Sequence, residues 1–264
     1  MYTLVTLTAL RQHLGITESE ATPVEDQRLR LAIQAASKWL ERLAGRRFSP
    51  YWAVLRHAVD PARPTQLVLH ADLLELLAVE DASGPLDVEQ IITAEDGTLI
   101  YPVGFNDGEM PRWAVAVTGI WGTHDDWSQA WRSSGDALSL ACDAAVTQLS
   151  VSDVSGADAH QQTPRFQVGQ LIRLGDEYLR VVAIHADTQQ LSVLRGQQGT
   201  HAAAHDAAAP IDIYQPADDL VLLCLRLAAW LYREPDSIAG EALPPSLAAA
   251  LSEALAGLRR LRVG

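Results

Sequence analysis

Apolar residues recur at steps of three and four near both ends of the chain, and at steps close to two across its middle. In "TPVEDQRLRLAIQAASKWLERLAGRRF" the residues Leu29, Ile33, Ala36, Leu40 and Leu43 form one stripe. Thr22 stands where an N-cap is needed, Pro23 suits the first helical position, Glu25 completes a capping box and Gly45 stops the run, so the spacing predicts one amphipathic helix. Before it, "TLTALRQHLGI" predicts a short helix with Leu7, Leu10 and Leu14 on one side, closed by Gly15. Near the other end, "PADDLVLLCLRLAAWLYREPDS" predicts a helix that begins at Asp218 or Asp219 and is ended by Pro235. Leu220, Leu223, Cys224, Leu227 and Leu231 make up its stripe. "PPSLAAALSEALAGLRRLR" predicts a last helix burying Leu247, Leu251, Ala254, Leu255 and Leu258.

Between these ends the period changes. "WAVLRHAV", "TQLVLH", "VEQIIT", "GTLIY" and "RWAVAVTGIWG" are short β-prone runs cut by Pro, Gly, Asp and Asn. A second β-rich block follows "WSQAWRSSGDALSLA", with strands expected at "TQLSVS", "QLIRLG", "EYLRVVAI", "QLSVL" and "PIDIY". The expected fold is α+β: a helical bundle formed by the N- and C-terminal helices, a central antiparallel β region, and an inserted small β-barrel-like module. In residue ranges this gives N-terminal helices over 1–47, the central β region over 48–135, the inserted module over 136–216, and C-terminal helices completing the bundle over 217–264.

Charge narrows the function classes. The net charge is −13, from 33 acidic and 20 basic residues, and Lys38 is the only lysine. The excess lies in the middle: 4 basic against 13 acidic residues over 48–135, and 4 against 9 over 136–216. Affinity for nucleic acid comes largely from lysine and arginine displacing counterions, so this balance predicts a surface that repels DNA rather than grips it. Cys142 and Cys224 lack CxxC spacing, which argues against a disulfide framework and a thiolate zinc site. "LVLLCLRLAAWLY" is too short to span a bilayer and contains Arg226, and "MYTLVTLTALRQHLG" lacks the basic leader of a signal peptide. A soluble, cytosolic origin with no membrane partner is expected.

The stretch "RGQQGTHAAAHDAAAPIDIY" offers two readings. In one, His201 and His205 share a helical face and bind a metal with Asp206 as third ligand, the basis of a metal-dependent hydrolase. Ala202 stands where the HExxH pattern requires glutamate, and the glycines and Pro210 leave little room for a helix. In the other, a strand runs into a glycine-relieved bend and returns to "PIDIY", with Arg195 anchoring the bend on backbone carbonyls. Trp113, Trp121, Trp127 and Trp131, with His124, Asp125 and Asp126 among them, could line a sugar-binding groove or pack in the interior. No nucleophile elbow, phosphate loop or dinucleotide fingerprint appears, so neither an enzyme nor a cofactor is expected.

Taken together, "LTALRQHLGIT", "LRLAIQAASKWLERLAGRRF", "LLCLRLAAWLYREPDS" and the leucine-rich end resemble the head-tail connector (adaptor) proteins of tailed bacteriophages. "VAVTGIWGTHDDWSQAW" resembles the stretch before the returning helices in larger adaptors, and "FQVGQLIRLGDEYLRVVAI...LSVLRGQQGTHAAAH" resembles a small β module recurrent in phage virion proteins. The resemblance implies a structural virion protein at the neck, made in the host cytoplasm. It implies a homo-oligomeric ring, typically of twelve copies, bound to the portal protein and to tail or neck/stopper proteins, with DNA in the lumen held off by repulsion. It also implies that Arg259, Arg260 and Arg262 reach toward the portal; physically, they equally suit capping of the last helix. The alternative function is a carbohydrate or host-surface binding virion module using Trp121, Trp127 and Trp131.

Overall fold

The computed structural model describes residues 2–17, 22–94, 96–106, 108, 115–234 and 244–258. Among these the chain forms two compact units, one of residues 46–123 and the other of residues 1–45 together with 124–264.

Helices α1 (Leu7–Leu14) and α2 (Pro23–Ala44) open the chain. Thr6 and Thr22 cap them, their hydroxyls accepting from the N–H groups of Ala9 and Glu25, and Gly15 and Gly45 end them in the left-handed region at φ 73° and 64°. Along α2, Leu29, Ile33, Ala36 and Leu40 are buried, as the three-and-four spacing requires.

The unit of residues 46–123 holds β1 (Tyr51–His57), β2 (Gln66–Val68), β3 (Leu73–Asp81), β4 (Gly84–Leu86), β5 (Ile92–Thr93), β6 (Thr98–Ile100) and β7 (Val115–Trp121). They form two antiparallel sheets of order β1-β7-β3-β4 and β2-β6-β5. Both sheets contribute to one core, which includes Leu67, Val79, Leu99, Val115, Val117 and Trp121.

The second unit adds β8 (Trp131–Ala137), β9 (Gln148–Ser150), β10 (Leu171–Leu174), β11 (Glu177–His185), β12 (Gln190–Leu194) and β13 (Pro210–Tyr214). Their order is β8-β13-β10-β11-β12-β9. Just past β8, Leu138 bridges Val151 just past β9, and Ser139 N–H donates to the Ser150 carbonyl at 2.8 Å, so the first and last strands meet and the sheet closes into a small barrel. Alternate residues fill it: Ile172 and Leu174, Leu179 and Val181, Leu191 and Val193, Ile211 and Ile213.

Helices α3 (Asp218–Arg233) and α4 (Pro245–Leu258) follow. α3 packs on α2, with the Trp39 and Trp230 rings 6.3 Å apart and Ser37 Oγ 3.5 Å from Cys224 Sγ. Residues 2–6 lie against both helices and barrel: Leu4 N–H donates to Ser37 Oγ, the Tyr2 ring meets Tyr214 edge-on at 5.9 Å, and Thr6 Oγ1 donates to Gln167.

This corrects the expected fold class. The architecture is not a helical bundle made by the chain ends: among the described residues it is three antiparallel sheets with thirteen strands and only four helices, α+β with β predominant. The helical periodicities were strong local signals, but much of the buried apolar surface lies inside the barrel and between the two small sheets. Among the described residues, no helix is long and apolar enough to cross a membrane.

Candidate functional site

The densest polar cluster lies at one end of the barrel. Glu177, first residue of β11, has a side chain only 1% exposed. Its carboxylate accepts from Arg195 Nε at 2.8 Å and Nη2 at 2.7 Å, a two-pronged ion pair. It also accepts from the N–H groups of Gly196 at 2.9 Å and Ala203 at 3.1 Å. His205 Nε2 lies 2.8 Å from Oε2, and facing an acceptor-only carboxylate it must be the donor. Burial pushes the carboxyl pKa up, but Arg195, His205 and the two backbone donors outweigh it and hold the group at about 2.

Arg195 is saturated in turn. Nη1 donates to the carbonyls of Asp143 at 2.8 Å and Val146 at 2.7 Å, and Nη2 to that of Ala203. Cys142 and His205 exchange both backbone hydrogen bonds at 2.9 Å. Gly196 sits at φ 57°, where a Cβ would approach the Thr200 carbonyl oxygen to 3.1 Å, so glycine permits the bend. One carboxylate thus ties together β11, the end of β12, the connector 195–205 and the loop 142–146. Chemically the cluster is a clamp, since its acceptors and donors are used within the fold.

The two histidines of this stretch do not share a helix. His205 lies in a β bridge with its ring on Glu177, whereas His201 and Asp206 are exposed along an extended connector. Among the described residues no group of three His, Cys, Asp or Glu side chains is arranged to hold a metal ion. The tryptophans are also divided. Trp121 is fully buried in the core of residues 46–123, its Nε1 donating to the Ala53 carbonyl at 2.9 Å, so it presents no face to a ligand. Trp127 and Trp131 meet edge to face at 6.3 Å, and Trp131 packs on Tyr178 and Tyr214 with the Arg173 guanidinium 4.7 Å over its ring. Trp113, Arg259, Arg260 and Arg262 lie outside the described residues.

Two further buried ions are structural. Asp158, with a fully buried side chain, sits 2.8 Å from Arg132 and accepts from the N–H groups of His160 and Gln162. Asp136 accepts from the N–H groups of Ser152 and Asp153 and lies 3.4 Å from Arg165. Sequence reading missed Glu177, Asp158 and Arg132. For Glu177 and Arg132 the signal available was a charged residue at an inward position of a strand, and for Asp158, in the loop between β9 and β10, none; only their distant partners explain them. Comparison with known proteins found no matching family model and no matching curated protein.

Proposed function

We propose that the chain is a structural virion protein, a head-to-tail adaptor whose copies form a ring between portal and tail around the DNA path. The observation that supports this reading is where the polar chemistry goes. Glu177, Arg195 and His205 are spent on one another and on the backbone, so this cluster serves the fold. What stands outside is of the kind proteins use to meet proteins: apolar Val24, Leu31 and Leu222 exposed on helices, beside arginines. The stretches that resemble phage adaptors fall on α1, α2, β7, the barrel strands, α3 and α4. A charge of −13 per copy, repeated around a channel, repels duplex DNA over about one Debye length, ~8 Å at physiological salt, and leaves it free to slide.

The test is mass and shape in solution, by light scattering and negative-stain imaging, for the chain alone and mixed with the portal ring encoded by the same virus. A ring with a central channel, alone or on the portal, is expected. A monomer or dimer that ignores the portal contradicts the reading.

A further inference from the structure

The solvent face of α2 differs in character from the rest of the protein. Val24, Arg28, Leu31, Ala35, Lys38 and Arg42 follow one another at steps of four, three, four, three and four, which places them in a single stripe. All but half-buried Ala35 are exposed, with Leu31 at 59% and Val24 at 70%. Among the described residues neither Lys38 nor Arg42 has an ion-pair partner, and Arg28 rests over the Tyr232 ring at 5.1 Å. A chain with 33 acidic residues thus carries an acid-free, cationic and partly apolar stripe. Beside it lies a groove of about 190 Å³ lined by Arg30, Ile33 and Gln34 of α2 together with Val168 and Val182, both themselves partly exposed.

A complementary pattern stands on β3. That strand leaves Glu75, Leu77, Ala78 and Glu80 exposed, with apolar residues between two carboxylates, in the unit where acids outnumber bases by eleven to five over residues 46–123. The spans are similar: Arg28 to Lys38 is ten helical residues, about 15 Å, and Glu75 and Glu80, which lie opposite Ile120 and Ala116 with a bulge between Leu76 and Ala78, are four strand steps, or about 13 Å, apart on one face. Between the charges, Leu31 and Ala35 face what Leu77 and Ala78 can cover.

We infer that the α2 stripe of one copy docks on β3 of the next, as the repeating contact between copies of this chain. The inference rests on the ring reading above and names the surfaces that build it. The contact joins different patches on the two copies, a head-to-tail contact that repetition turns into a ring where the rotation between copies closes. A nucleic acid would satisfy the cations but leave Leu31 and Val24 wet, which is why a protein surface of opposite charge is the better occupant.

Because Lys38 is the only lysine, the test is clean. Unlabelled and ¹⁵N-labelled full-length chains are mixed, alone and with the portal ring, and treated with a zero-length carbodiimide that joins an amine to a carboxylate. The expected product is an isotopically mixed peptide linking Lys38 to Glu75 or Glu80, lost in E75Q/E80Q. R28E/K38E and E75K/E80K should each fail to assemble alone yet form rings when mixed, since every contact then regains opposite charges; circular dichroism checks that both fold. A ring in which Lys38 links only elsewhere, or no rescue on mixing, overturns the inference and leaves the adaptor reading standing. Duplex DNA that binds wild type but not R28E/K38E reassigns the stripe to nucleic acid. Chains that form no ring in either setting remove the adaptor reading itself.

Discussion

The clamp at Glu177 makes a quantitative demand. In Glu177→Gln the remaining carbonyl oxygen can still face Arg195 Nε and Gly196 N–H, but the amide NH₂ is turned toward Arg195 Nη2, the Ala203 N–H and His205 Nε2, all donors in the native arrangement. The Arg195 side chain, 6% exposed, loses its counter-ion. Breaking a buried ion pair costs about 3–5 kcal/mol. Arg195 keeps three carbonyl acceptors, and His205 can change tautomer to accept from the new amide. Both adjustments point to the lower end, about 3 kcal/mol. Trp131 packs on Tyr178, next to Glu177, so its fluorescence during urea unfolding reports on this unit. Replacing both partners, E177L/R195M, should cost less than the sum of its single variants, because no unpaired charge remains, although the carbonyls of Asp143, Val146 and Ala203 and the N–H groups of Gly196 and Ala203 lose their side-chain partners. A loss below about 1 kcal/mol for E177Q, or a double variant whose cost is the sum of its singles, would refute the clamp.

Acid should act through the same group. Its folded pKa of about 2 lies below the ordinary 4.5, so the native state binds fewer protons than the unfolded chain. The resulting stability, about 3 kcal/mol, is fully present above pH ~4.5 and is lost as pH falls toward ~2; E177Q should lack that part of the slope in pH-dependent urea midpoints. Gly119→Ala places a Cβ 2.5 Å from the Glu75 carbonyl oxygen and 2.6 Å from Leu73 Cδ1, and should destabilise the unit of residues 46–123 by about 2 kcal/mol in thermal melting, whereas a neutral result would mean that β3 yields easily. Burial pushes the Cys224 thiol up to about 12, against a weaker opposing hydrogen bond with Ser37, so a thiol reagent at pH 8 should leave it unlabelled until denaturant is added; rapid native labelling would show that the α2–α3 contact opens.

Local signals carried the sequence reading where both cause and effect lie within one turn. Thr22, Pro23 and Gly45 bound α2 at Pro23–Ala44, and α3 begins at Asp218 as the apolar stripe requires. The reading failed where a strand is polar inward. β8, "WRSSGDA", shows no hydrophobic alternation because its buried side chains are Arg132 and Ser134, the arginine being ion-paired with Asp158 and hydrogen-bonded to Gln162 far along the chain. Nothing local marks it as the strand that pairs with β13, nor announces the Leu138–Val151 bridge that closes the barrel. The same blindness hid Glu177, whose partners lie 18 to 28 residues away. Strong helical periods at both ends then drew the fold toward a bundle, while short strands that make sense only as sheets decided the architecture.

The proposed adaptor role is tested most directly by deleting the chain's gene from the phage that, on this proposal, encodes it, and imaging the particles made. The adaptor account predicts filled heads and finished tails that accumulate separately, and joining restored when wild-type protein is added to the lysate. Normal, joined virions in the deletion would contradict it.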